Sequence, residues 1–420
     1  TGTTSADLRH GPEPAPGSRA ADRAPGRVLT GTLLASSTLT ITAAAIISPS
    51  LPEMARVFSG VPAADLLVRL SLTITSLTIG LTAAVAGVVT DRVGRKPVLV
   101  ASLVLYAVAG TAGWFVSDLH LLLGARALLG VAVGGVTTSV SALISDWFDG
   151  ERRGAVIGQQ AAFASLGGVV FIPVAGVLAG IAWDAPFWLY ASSLLVVPFA
   201  VLGVREARPR SSGPEPVAPG TGGSGPRSPA GRALALPYAV AAGATLVFFM
   251  TPTQLPFLLQ RFDASPAAVG VAVAAGTASS TVAALAYSRV RRQLSQELVT
   301  AVSIGLLGAG WLVIGLAGGL PLVLVGALVG GLGLGLIVPT LNQWVAGLVP
   351  APRRGRALGG LVSAIFLGQS ASPLVLQPVV DAVGTSTAFL LTGAAAGAGA
   401  VALAVVLPRR ARRVGTGTSA

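Results

Sequence analysis

Apolar residues along this chain run in long blocks, and polar residues collect in the short gaps between them. The blocks fall near 28–50, 66–90, 97–116, 120–145, 154–181, 185–204, 234–259, 266–288, 297–317, 320–348, 355–380 and 386–407. About 20 apolar residues in helical form span the ~30 Å hydrocarbon layer of a bilayer. Twelve such blocks predict an all-α integral membrane protein with twelve transmembrane helices. Composition agrees: 53% of residues are hydrophobic and only 10% charged, where soluble domains carry roughly a quarter charged.

The segment from Arg205 to Arg232 breaks the pattern, being rich in Pro, Gly and Ser and carrying five Arg. It cannot bury itself, so it predicts a flexible water-exposed linker, 205–233, that divides the spans six and six. The domains expected are a tail at 1–26, a six-helix bundle at 27–204, the linker, a second bundle at 234–408 and a basic tail at 409–420. The first tail holds Pro12, Pro14, Pro16 and Pro25 among charges of both signs, and resembles a solvated segment more than a cleavable signal peptide. The halves also repeat. A shift of 201 places Gly130 and Gly134 on Gly331 and Gly335, Arg152-Arg153-Gly154 on Arg353-Arg354-Gly355, Gly158 on Gly359 and Gly167 on Gly368. A shift of 197 places Arg92, Val93 and Arg95 on Arg289, Val290 and Arg292. A duplicated six-span unit predicts two bundles related by a pseudo-twofold axis along the membrane normal, with the solute path between them near the midplane.

Charge sets the orientation. Of 28 basic residues, 24 fall in the tails, the linker and alternate loops, which by the positive-inside bias puts both termini in the cytoplasm. Twenty-seven of the 28 are Arg, and the chain is heavy in Ala, Gly and Val, a usage that suggests a GC-rich bacterium and its inner (plasma) membrane. The net charge of +12 forms no single stripe, so nucleic acid is not an expected partner. Cysteine is absent, which excludes disulfides, thiolate metal sites and Cys nucleophiles. No HExxH, GxSxG or P-loop pattern occurs in the spans, so no enzyme, metal or cofactor is expected.

Residues 87–97 read GVVTDRVGRKP in the short loop between the second and third spans. Gly94 permits a tight turn, Gly87 would let another helix approach the end of the second span, and Arg92, Arg95 and Lys96 resist translocation. The segment resembles the GxxxDRxGRK(P) signature of the major facilitator superfamily, and the chain looks like a twelve-span member of its drug/proton-antiporter-like branch. The resemblance implies that Asp91 and Arg95 cluster with Asp146, which closes the fourth span. It also implies that Asp91 faces the start of the eleventh span, just after Arg356, where a helix N-terminus favours a carboxylate. This cluster would latch the halves together on the cytoplasmic side.

The fourth span reads LLGARALLGVAVGG and resembles the family's RxxxG motif through Arg126 and Gly130. A charge inside a span is expensive and functional by default. Arg126, Gly130, Gly134, Thr137 and Ser141 share one helical stripe, expected to face the cavity, although a snorkelling Arg126 at the span's outer end is the plainer alternative. The fifth span reads GVVFIPVAGV at 168–177. It keeps Gly168, Pro173 and Gly176 of the family's antiporter motif GxxxGPxxGG but carries Ile172 and Val177 in place of two glycines, and Pro173 is expected to kink the helix. Gln254, Asn342, Gln343, Gln369, Gln159, Gln160, Ser37, Thr38 and Thr42 are polar side chains within spans. Each is a candidate for the cavity wall or for interhelical packing.

No carboxylate or His lies near the centre of any span. Glu53 and Asp65 sit at outer boundaries, where with Arg126 they are the most reachable groups for a coupled proton. A cavity with little fixed charge suits a neutral, zwitterionic or amphipathic solute, while Arg126 would attract an anion. The expected function is export of a small organic compound, a drug or secondary metabolite, by alternating access in exchange for protons. Uptake or facilitated diffusion of a metabolite is the alternative, and a sensor without flux the reading of another class. The expected partners are the solute, protons and membrane lipid, and the protein is expected to be a monomer.

Overall fold

The computed structural model describes residues 26–204, 229–350 and 353–415. The first tail up to residue 25, most of the expected linker and the end of the second tail lie outside the described residues. The helices are α1 (Arg27–Ala45), α2 (Leu51–Val57), α3 (Ala64–Val93), α4 (Arg95–Phe115), α5 (Leu119–Trp147), α6 (Gly150–Ala179), α7 (Ser193–Gly203), α8 (Pro229–Phe248), α9 (Met250–Gln260), α10 (Pro266–Gln293), α11 (Gln296–Gly315), α12 (Leu320–Leu348), α13 (Arg354–Val383) and α14 (Thr385–Gly415). They make twelve spans long and apolar enough to cross a membrane. α8 takes in the last five residues of the expected linker, and α14 runs past residue 408 into the expected basic tail.

Two spans are broken, and proline explains both. Pro49 has no N–H for the carbonyl of Ala45, and α1 stops at Ala45 before a short 3₁₀ turn at Ser48–Ser50 leads into α2. Pro252 has none for the carbonyl of Phe248, and α8 stops at Phe248 before α9. The broken segments read SPSLP at 48–52 and TPTQLP at 251–256, the same pattern with Thr for Ser and Gln254 inserted.

Each half has its own apolar core. Leu33, Leu72, Leu103, Leu129 and Phe187 belong to the first, and Leu255, Leu307, Trp311, Leu361 and Phe389 to the second. Repeat-equivalent glycines do the same work in each. A Cβ at Gly130 would collide with Thr78 and the carbonyl of Thr75 on α3, and one at Gly331 with Ser279 and the carbonyl of Gly276 on α10. The spans therefore cross at backbone distance, the small-residue packing that lipid favours. No such neighbour lies within 4 Å of a Cβ at Gly87, so the expected helix approach there is not made in this conformation.

The basic loops at 92–96, 152–153, 289–292 and 353–356 share one face of the bundle, here the basic face. Between the halves, α3 packs on α13, α6 on α10, and the 48–57 segment on α9 and α10. These contacts lie at mid-span and toward the far face. Gly80 abuts Phe366, and Gly176 and Gly270 lie against each other's helix backbones. Toward the basic face the same line of α3 is bare: nothing lies within 4 Å of a Cβ at Gly87, and the Asp91 side chain is 74% exposed. The two bundles thus meet over the far half of the membrane and part toward the basic face.

Substituting Gly130 or Gly331 by Ala is expected to cost about 1–3 kcal/mol each, the usual penalty of overpacking, with little change for Gly87→Ala. Thermal unfolding of the detergent-purified protein checks the contrast.

Candidate functional site

The site is the space between the halves together with the two faces that close it. On the basic face, α3 ends at Val93 and α4 starts at Arg95, the turn resting on Gly94 at φ 108° as its spacing predicts. Arg95 Nε lies 3.0 Å from Asp146 Oδ2, an ionic contact off the line of a hydrogen bond, and Arg95 Nη2 lies 3.7 Å from Asp91 Oδ1. Arg92 is exposed and Lys96 half-buried. The triad is thus assembled within the first half alone. The side chain of Asp91 is 74% exposed, with Arg95 its one ion-pair partner among the described residues. The expected contact with the start of α13 is not made here, because the halves have parted on this face.

Arg126 neither lines a cavity nor snorkels. It is 0% exposed, and each of its polar contacts is neutral: Nε donates to Ser71 O at 3.2 Å, Nη1 to Tyr190 Oη at 2.8 Å and Nη2 to Ala43 O at 2.7 Å. Tyr190 Oη also donates to Ala43 O, at 2.9 Å. Ala43 belongs to the last turn of α1, whose carbonyls lose helical partners where Pro49 ends the helix. The guanidinium therefore caps a helix C-terminus from inside the bundle, where a cation is favoured.

Below Arg126 the polar stripe of α5 opens out. Arg126, Gly130 and Gly134 are buried, whereas Thr137 and Ser141 are exposed and lie about 180–220° round the helix from the exposed Leu128. Those two are thus exposed on the side of α5 opposite Leu128. Asn342, the repeat-equivalent of Ser141, is likewise exposed, its Nδ2 bonded only to Val338 O of its own helix. Gln369 is half-buried, about 200° round α13 from the exposed Leu367.

Other expected cavity residues sit elsewhere. Gln343 lies in line with the exposed Val325 on α12 and accepts from Tyr287 Oη at 2.9 Å, an interhelical packing bond. Gln159 shares the exposed apolar stripe of Phe163, Leu166 and Val170, away from the centre, with Gln160 half-buried beside it. Thr38 turns its hydroxyl to Ala35 O and packs its carbonyl on Gly167. Ser37 and Thr42 are buried and bond to carbonyls of their own helix. Pro173 lies inside an unbroken α6, where its Cα sits at the crossing with Gly270.

Gln254 is buried, and it belongs to the far-face closure. Arg69 of α3, 4% exposed, donates from Nε to Gln254 Oε1 at 3.2 Å. Gln254 Nε2 donates to Gln377 Oε1 at 3.0 Å, and Gln377 Nε2 to Asp381 Oδ1 at 2.7 Å. Arg69 Nη1 donates to Asp65 O at 2.7 Å, its charge 3.8 Å from the Asp65 carboxylate, and its guanidinium lies 3.8 Å over the ring of Phe257. Beside this row Ser48 Oγ donates to Pro252 O at 2.6 Å, a carbonyl left open because Pro256 has no N–H. Glu53 pairs with Arg56 at the rim. Pro49, Pro52 and Arg56 of one half and Pro256, Gln260 and Pro266 of the other line a cavity of about 450 Å³ there.

Sequence reasoning missed Arg69, Gln377, Asp381, Ser48 and Tyr190 as parts of the site. Asp65/Arg69 and Gln377/Asp381 are i,i+4 pairs at the far ends of their spans, and Gln254 is the insertion in the repeated proline phrase. Those were the available signals. Ser48 and Tyr190 gave none, since their partners are backbone carbonyls.

The model of the Major Facilitator Superfamily matches residues 33–250 and again 238–420. A 3-(3-hydroxy-phenyl)propionate transporter of Escherichia coli is 27% identical over 79% of this chain and 82% of its own length. A probable 4-methylmuconolactone transporter of Cupriavidus pinatubonensis is 30% identical, but over only 29% of this chain and 30% of its own. Among solved structures, that of the nucleoside transporter NupG, in a point-mutant form, superposes with a TM-score of 0.73 at 13% identity, covering 90% of this chain and 98% of that one. That likeness concerns the fold.

Tyr190→Phe removes one donor to Ala43 O and the acceptor of Arg126 Nη1 and is expected to cost about 1–3 kcal/mol, whereas Arg126→Ala, which strips three acceptors of a charged donor, should cost about 3–5 kcal/mol. Detergent thermal-shift curves of the two variants test the order.

Proposed function

Given that the chain belongs to the Major Facilitator Superfamily, and so is a multi-pass membrane transporter and no enzyme, we propose that it carries a small carboxylated organic metabolite through the central cavity by alternating access. The observation that carries this reading is Arg126, a buried cation whose described contacts are all neutral. An uncompensated charge exerts about 2 kcal/mol on a monovalent anion 8 Å away at an effective dielectric of 20. No described Asp, Glu or His lies mid-span to oppose it. The field of the first half therefore favours an anion and disfavours an organic cation. The propionate in the name of the Escherichia coli relative, matched over 79% of this chain, supports the same class.

In this reading the cavity mouth is the basic face, in the cytoplasm with both termini, and Thr137, Ser141, Asn342 and Gln369 contact the solute from both halves. Two separately cored bundles rock about the contacts they share at mid-span. As the basic face closes, Asp91 reaches the N-terminus of α13 and completes the Arg95–Asp146 latch.

A second reading, export in exchange for protons, is favoured by the remnant of the antiporter motif. Gly168, Pro173 and Gly176 sit where α6 crosses α10 between the halves. The acids at hand for coupling are Asp65 and Glu53 on the far face.

Proteoliposomes decide between these readings. Saturable uptake of a 3-arylpropionate, with a KM raised severalfold by Asn342→Ala or Ser141→Ala, is the expected result. Accumulation of organic cations against an imposed pH gradient, with no arylpropionate flux, would favour the second reading.

Asp91→Asn is expected to lower the share of molecules closed on the basic face, measured by spin-label distances across it. An unchanged distribution would remove Asp91 from the latch.

A further inference from the structure

The far-face row joins the halves through a single side chain of the first. Arg69 stands on α3, while Gln254 and Phe257, which hold its Nε and its flat face, stand on α9 of the other half. Gln377 and Asp381 stand on α13, also of the other half. Rocking that opens the far face therefore strips Arg69 of its amide acceptor, its aromatic lid and the distant Asp381 together. What remains with it is Asp65, whose carbonyl keeps Nη1 and whose carboxylate, 3.8 Å away and 74% exposed, makes only a solvated i,i+4 pair. A guanidinium left with a free N–H edge and a bare face at the mouth of a cavity is a carboxylate site.

We propose that Arg69 is a specificity-determining residue that alternates partners: Gln254 while the far face is shut, and the carboxylate of the solute when it is open. The inference rests on the carboxylated solute proposed above. Three features of the row suit it to an exchange. Its acceptor is a neutral amide, a weaker partner than a carboxylate, so an anion displaces it readily. Gln254 is the one insertion in TPTQLP relative to SPSLP, whose serines it replaces by threonines, so the row is one-sided where the proline pattern repeats. The row also passes the bond on through Gln377 to Asp381, so Gln254 keeps a partner in its own half when Arg69 leaves. Solute arriving at the far face thereby replaces the closing contact, which couples occupancy to the conformation that can admit it.

The chain has no cysteine, so reporter cysteines need no prior substitutions. Spin labels at Val57→Cys and Gln260→Cys, on opposite halves of the far rim, read its opening, and proteoliposome flux of 3-phenylpropionate and of its uncharged amide reads specificity. Gln254→Ala, which leaves Arg69 in place, is expected to add a longer distance population without solute and to leave carboxylate selectivity intact. Arg69→Ala is expected to add the same population and to raise KM for the carboxylate about tenfold, the worth of one charged hydrogen bond, with little effect on the amide. Should Arg69→Ala not fold, Gln254→Glu provides the opposite sign, an ion pair that holds the face shut, removes the longer distances and slows turnover. Equal loss of both solutes in Arg69→Ala, or unaltered distances in all variants, would overturn the inference. Wild-type protein that moves no arylpropionate would instead overturn the carboxylate reading beneath it, and the distances would still show whether the row is a gate.

Discussion

A carbonyl freed inside hydrocarbon must find a donor, because no water is there to supply one. Much of this structure follows from that constraint acting on two broken spans. Prolines end α1 and α8 within the membrane and open carbonyls that an unbroken helix would have kept. At the first break the donors are Arg126 and Tyr190, which tie α1 to α5 and to the segment before α7. Beside the second, Pro256 opens the carbonyl of Pro252 within α9, and Ser48 of the first half donates to it. A break that would weaken an isolated helix becomes a junction, and the junction at Pro252 spans the interface between the halves.

The interface is bonded unevenly along its length. Toward the far face it combines glycine-mediated backbone approach at Gly176 and Gly270 with the polar row from Arg69 to Asp381. Toward the basic face α3 is bare, and the Arg95 triad closes on itself within one half. Each bundle keeps most of its own apolar core, with Phe249 and Ile172 the buried residues that cross into the other's. That division of labour, dense packing within halves and exchangeable polar bonds between them, is what closure on either face, as we propose it, requires.

Electrostatics reinforces the pattern. Among the described residues the carboxylates stay at the two faces, where water or a guanidinium can reach them, and two arginines are buried. Arg126 is held by neutral acceptors within one half and is fixed. Arg69 is held by a neutral acceptor across the interface and is exchangeable. The same residue type thus serves as a structural cap in one place and, in our proposal, as a recognition element in the other. The difference lies in which half supplies the partner.

By itself the sequence determined the twelve spans, their division into two related sets, the turn at Gly94 and the family. These follow from block length, glycine and charge, which act locally or repeat at a fixed offset. It also marked the stripe of α5, since helical spacing alone puts Arg126 and Ser141 on one line. Only the tertiary structure decided that the line is sealed at Arg126 and open at Ser141, that Gln343 serves packing, that Gln159 points away from the centre, and that Gln254 bonds to Arg69 and Gln377 across the far-face row. A polar side chain in a span must find a partner, but which partner depends on the rotation of each helix and on which end of the interface is closed. Neither is encoded within any single span.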